Sequence, residues 1–135
     1  ETAISNAERA MMANQAGADM LLRIHANGSE DPSASGALAL VPSAGNAYVG
    51  NLSAQSASLA QTILDAYCRA TGMANLGIQY NDTMTGINWS KQPVVILEMG
   101  FMTNEKDDMA MADEAFRQTM AGGIAEGVEA YFKAE

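Results

Sequence analysis

The chain has 135 residues, 48% of them hydrophobic and 17% charged, and its formal net charge is −9. That length allows one domain at most, and so acidic a chain excludes nucleic acid or an anionic membrane surface as partner, since phosphate-rich surfaces repel it. No run approaches the about 18 apolar residues of a membrane span, and the single cysteine, Cys68, forms no internal disulfide.

In chain order, Ser5-Asn6-Ala7-Glu8 fits a capping box, in which hydroxyl and carboxylate satisfy each other's backbone donors. A helix is predicted from Ala7 to a stop at Gly17. So short a lead-in, with no strand feeding the helix, predicts that the chain is part of a longer domain. Met20-Leu21-Leu22-Arg23-Ile24-His25 is a short apolar run ending on the only histidine, and Ala26 to Pro32 are turn formers almost throughout. His25 thus stands at a strand end facing a loop. It is either a hydrogen-bonded core residue or a metal ligand, neutral imidazole being the commonest ligand of zinc. Leu38 to Val41 predicts a short edge strand within a Gly/Ser/Ala-rich passage. Leu52, Leu59, Ile63 and Tyr67 repeat at helical spacing, with Ser53 or Asn51 to cap the helix and Gly72 just past its end. Cys68 falls in that helix and reads as a small buried apolar residue. Residues 73–91 are irregular, with weak alternation at Leu76, Ile78 and Tyr80. Trp89, the sole tryptophan, either plugs the sheet edge or lines a groove as a flat wall for a ligand.

Pro93 to Asn104 carries the strongest local pattern. Val94 to Leu97 is β-branched and apolar, as in a strand buried on both faces of a parallel sheet. The run ends on Glu98, with Gly100 close behind. Ligands collect at the carboxyl ends of strands in open α/β sheets, so Glu98 is either a solvent-turned strand end or a catalytic base. His25 in the same topological position favours the base, because a carboxylate beside a metal takes a proton from water. Further on, Asn104 or Asp107-Asp108 can cap a turn, and Asp113 is placed to cap the last helix. Phe116, Met120, Ile124, Val128 and Tyr131-Phe132 form that helix's apolar stripe. Gly122-Gly123 and Gly127 cost helix propensity, which predicts close approach of their face to the sheet. There is no GxSxG, phosphate-loop or GxGxxG motif, and one histidine rules out HExxH. Nothing in the sequence orders Ser29 or Ser43 for nucleophilic chemistry with His25.

Ala18 to Asn27 resembles the second histidine motif of the zinc-dependent N-acetylmuramoyl-L-alanine amidases (the Amidase_3 type of peptidoglycan hydrolase). Asn88 to Asn104 resembles that family's catalytic-glutamate motif. The helix at Ser5 to Asn14 and the closing Gly122 to Phe132 are similar to flanking helices of the same family, in the same order. The resemblance implies an α/β fold, a mostly parallel sheet with helices on both faces, and hydrolysis of the amide between muramic acid and L-alanine. It assigns His25 as a zinc ligand, Glu98 as the general base and Asn27 as a substrate contact. The family also uses a histidine in a glycine-rich motif and a second glutamate, both ahead of the helix at Ser5, and this chain has neither. A catalytic zinc takes three protein ligands plus water, so zinc binding by these residues alone is expected to be weak or absent. Residues 1–135 are accordingly expected to be the C-terminal portion of a single amidase catalytic domain, lacking the N-terminal strands of the family fold. Such a chain is expected to form a homodimer or to associate with the missing N-terminal segment. The expected partner is a peptidoglycan muramoyl-peptide, and the expected location is extracellular, in the cell wall or periplasm. The competing reading is a non-catalytic relative that binds wall peptide or a partner protein through the same cleft.

Overall fold

The computed structural model describes residues 2–134. The chain forms α1 (Asn6–Gln15), β1 (Leu21–Asn27), β2 (Ala37–Val41), a 3-10 turn (Gly50–Leu52), α2 (Ser53–Thr71), β3 (Asn75–Tyr80), α3 (Thr85–Asn88), β4 (Val94–Phe101), α4 (Glu105–Ala112) and α5 (Glu114–Lys133). The four strands make one open sheet in the order β1-β4-β2-β3. β1 pairs with β4 and β2 with β3 in parallel, while β2 and β4 run antiparallel. The fold is α/β with a mostly parallel sheet.

Alternation along the strands sends two sets of side chains to opposite faces. On one face Ala37, Ala39, Val41, Val95 and Leu97 pack beneath Leu59, Ala60, Ile63, Leu64 and Tyr67 of α2, with Met120 and Tyr131 of α5 in the same cluster. On the other, Val94 and Ile96 pack against Val49, Leu52 and Ile87, which belong to the 3-10 turn region and α3. Helices therefore cover both faces. Val94 to Leu97 are fully buried, as an apolar central strand requires.

The helix ends follow the expected chemistry in most places. Ser5 and Glu8 form the capping box of α1, Asn104 caps α4 through the Asp107 N–H, and Asp113 caps α5 through the Phe116 N–H. Gly72 ends α2 in the left-handed region at φ 73°. Neither Ser53 nor Asn51 caps α2. Leu52 stands at its N-cap with no side-chain bond, and the preceding 3-10 turn leads directly into the helix.

Three further expectations are corrected. Leu38 to Val41 is an inner strand rather than an edge, because β3 pairs beyond it. Residues 75–80, irregular in sequence, form that outer strand, and Leu76 and Tyr80 stay exposed because an edge strand needs little apolar cover. The glycine face of α5 meets α2 and not the sheet. A Cβ on Gly127 would stand 2.6 Å from the Ile63 Cα and one on Gly123 would stand 3.1 Å from the Tyr67 Cα, whereas Gly122 faces open space.

Candidate active site

β1 and β4 lie side by side in register, with Leu21 opposite Val94 and His25 opposite Glu98. After that pair β4 carries one extra residue, so that Asn27 stands opposite Phe101. Such a bulge re-aims side chains at a strand end. The two residues singled out from sequence are thus brought together: His25 Nδ1 lies 3.7 Å from Glu98 Oε1. That is beyond hydrogen-bond range and leaves the two groups facing each other across a narrow gap.

Period 2 also places Arg23 on the face that carries His25, and sequence reading had passed it over. Its guanidinium donates to Asn6 Oδ1 at 2.8 Å and meets His25 Nε2 at 3.2 Å. Arginine is only a donor, so Nε2 accepts and Nδ1 is the ring nitrogen turned toward Glu98. Gly86 of α3 makes the room, since any Cβ there would overlap Arg23 Nη1. The signal was available: a cation in an apolar run, two residues before the only histidine.

Arg23 and Glu98 are each 7% exposed, and Arg23 Nη1 and Glu98 Oε2 have no hydrogen-bond partner. A buried carboxylate oxygen left open is costly unless the site uses it. Burial pushes the Glu98 carboxyl above the usual carboxylate range, and the nearby His25 and Arg23 pull it only part of the way back. Burial also lowers Arg23, with Arg9 adding to it and Glu98 opposing. A carboxylate so tuned is suited to taking a proton from water.

The rim of the site is tied down by backbone and side-chain hydrogen bonds. The Asn27 carbonyl accepts from the Met102 N–H, the Ser29 N–H donates to Thr103 Oγ1, and Asn104 Nδ2 donates to the Pro32 carbonyl. Asp107, 3% exposed, accepts from Ser35 Oγ, the Gly36 N–H and the Phe101 N–H. These bonds hold the loop after β1 against the end of β4. Asn27 Oδ1 accepts from the Gly28 N–H at 2.9 Å and so helps shape the loop at the strand end. Ser43 is bound to Asp82, so it takes no part with His25.

Trp89 does not plug the sheet. It is 54% exposed at the end of α3, where Asn14 Nδ2 holds its carbonyl and Asn14 Oδ1 receives the Lys91 N–H. Among the described residues no group of three or more His, Cys, Asp or Glu could hold a metal ion. The donors on this face suit zinc in kind but not in number: one imidazole and one carboxylate with an open oxygen, against the three ligands a catalytic zinc takes.

The sequence of residues 1–130 matches the family model described as N-acetylmuramoyl-L-alanine amidase, Amidase_3. The chain belongs to this family. It is 28% identical over 133 residues to the N-acetylmuramoyl-L-alanine amidase LytC of Bacillus subtilis, covering 98% of this chain and 25% of that protein. It is 31% identical over 125 residues to YqiI of the same organism, an uncharacterised protein, covering 93% of this chain and 57% of that one. Among solved structures, an N-acetylmuramoyl-L-alanine amidase from Clostridium difficile superimposes with a TM-score of 0.86 at 27% identity, over 99% of this chain and 68% of that one. The family member therefore spans a quarter to just over half of these two relatives' lengths, and its fold is that of the amidase catalytic domains.

Proposed function

We propose that this chain is the C-terminal portion of the catalytic domain of a cell-wall amidase, which cleaves the amide between N-acetylmuramic acid and L-alanine in peptidoglycan. The observation that carries the reading is the pairing of His25 and Glu98 at the ends of adjacent strands, with the buried Glu98 Oε2 left without a partner. In this reading Glu98 takes the proton of the attacking water at Oε2 and later delivers it to the departing amide nitrogen. Its raised proton affinity serves both steps. His25 would supply one zinc ligand, with Arg23 standing against its ring. Zinc, when bound, would polarise the amide carbonyl and acidify water, and its other ligands would come from outside residues 1–135. Asn27 lies two residues beyond His25 at the site's mouth, where it would meet the stem peptide. The wall substrate places the enzyme outside the cytoplasm, at the wall or in the periplasm.

Residues 1–135 alone are expected to bind zinc weakly and to release little or no stem peptide from a muramoyl-peptide. Stoichiometric zinc with turnover by this chain would overturn the assignment of the missing ligands. In a chain that includes the preceding segment, Glu98→Ala should cut hydrolysis by about 10²–10⁴-fold while zinc stays bound, as read by metal analysis. Full activity in that variant would remove Glu98 as the base, whereas no hydrolysis by the parent longer chain would favour a wall-binding relative without catalysis.

A further inference from the structure

A second concavity lies at the other end of the sheet from Glu98. Its volume is about 720 Å³, and it is lined by Ala47, Tyr48, Val49, Thr85, Asn88 and Trp89, with Ser90 and Lys91 at one side. Lys91 stands three residues before β4 begins, and Glu98 is the fifth residue of that strand. At about 3.3 Å per residue, roughly 13 Å of strand separates Val94 from Glu98, so the two sites are distinct.

The walls are unusual for a surface that packs against nothing. Tyr48 is 75% exposed and Trp89 54%, although both side chains carry large apolar area that folding ordinarily covers. Their backbones are held firmly. Asn46 Oδ1 accepts from the Tyr48 and Val49 N–H groups, and its amide donates to Asp82 and Asn88 side chains. Asn14 fixes the segment on both sides of Ser90 through the Trp89 carbonyl and the Lys91 N–H. The aromatic rings therefore project from a fixed frame, a preorganised surface that saves ordering entropy on binding.

Charge narrows the ligand. The chain carries 16 acidic and seven basic residues, yet the lining includes no carboxylate and does include Lys91. A cationic ligand gains nothing there. A neutral or weakly anionic one does, if it offers a flat apolar face to the rings and hydroxyls to Thr85, Tyr48 and Lys91. A pyranose ring has that two-sided character, with C–H groups on its faces and hydroxyls around its rim. We propose that the Tyr48–Trp89 groove is a saccharide subsite for N-acetylated amino sugars of the glycan strand, separate from the hydrolytic site. The choice of sugar rests on the wall-amidase reading.

Trp89 is the sole tryptophan, so its fluorescence reports on this groove alone. Titrating the chain, shown to be folded by circular dichroism, with the soluble tetrasaccharide of N-acetylglucosamine should give a saturable change in emission. Tyr48→Ala should weaken binding about tenfold, the loss of one aromatic contact. By calorimetry Trp89→Phe should keep most of the affinity, Trp89→Ala should lose it, and Glu98→Gln should bind as the parent does. An absent response in folded protein, equal binding by Tyr48→Ala, or a response to an apolar peptide but not to the sugar would overturn the inference. If the sugar fails to bind while the longer chain still releases stem peptide from walls, the subsite falls and the amidase stands. Sugar binding without any hydrolysis by the longer chain sustains the subsite and sinks the amidase.

Discussion

At the scale of single residues, the site is a compromise between stability and chemistry. Glu98 is buried with one oxygen unpaired, a cost the fold carries in every molecule. Glu98→Gln removes the charge and keeps the shape, so the variant should unfold at a higher temperature than the parent even as hydrolysis in the longer chain is lost. A lower melting temperature by calorimetry would show that the charge is instead held favourably by Arg23 and His25. The buried face beneath α2 carries a second titration. Burial pushes the Cys68 thiol up to about 11 and raises the Tyr67 phenol as well, the latter while it donates to the Met99 carbonyl at 2.8 Å. Both groups are held neutral in the fold. Unfolded cysteine releases its proton near 8.5, so this contribution is complete below about that pH and is lost as the pH rises toward 11. Denaturation midpoints should fall across that window, and Cys68→Ala should flatten the part of the slope due to the thiol. His25 and Glu98 were legible in the sequence because each ends an apolar run. Arg23, Asn6 and Gly86 were not, because their meaning depends on α1 and α3 folding onto one face of β1, which no local pattern states.

Among the elements, the contact of α2 with α5 is the most exposed to test. Gly127 and Gly123 let the two helices approach closely, whereas Gly122, on the same helix, meets nothing within 4 Å. Gly122→Ala should therefore stabilise the chain by about 1 kcal/mol, the ordinary helix-propensity gain. Gly127→Ala receives the same gain but drives a methyl into the Ile63 backbone, and the overpacking cost of about 1–3 kcal/mol should leave it less stable. Equal and positive shifts in both variants, measured by urea denaturation, would mean that the helices part without penalty. The apolar periodicity of α5 was readable, and so was the need for a close neighbour at its glycines. Which neighbour was not, since the same small-residue face fits a helix or a sheet. β3 was hard to read for a related reason: Gly77 interrupts it at φ 83° and its alternation at Leu76, Ile78 and Tyr80 is weak, while pairing with β2 supplies the order. The exposure of Trp89 became visible only when α3, which it caps, and Asn14 fixed its backbone.

For the molecule as a whole, the outer edge of β1 has no strand paired to it among the described residues. Beside it Ile24, 48% exposed, joins Met99, Met111, Met120 and Ile124 in an apolar groove of about 370 Å³. An open edge next to an apolar groove invites pairing. At high concentration the chain should sediment above its monomer mass of 14.2 kDa, and Ile24→Lys should return it to monomer. A monomer at all concentrations would show the edge to be protected without a partner. The strand direction reverses once in this sheet, between β4 and β2. Because of that single reversal, strand C-termini point toward both ends of the molecule: β1 and β4 toward Glu98, β2 and β3 toward Tyr48 and Trp89. A polymer long enough to reach both ends would be engaged twice by one molecule. After a cut at one end, the hold at the other would keep the next bond at high effective concentration, so that turnover on an intact strand would outpace turnover on a short piece of it.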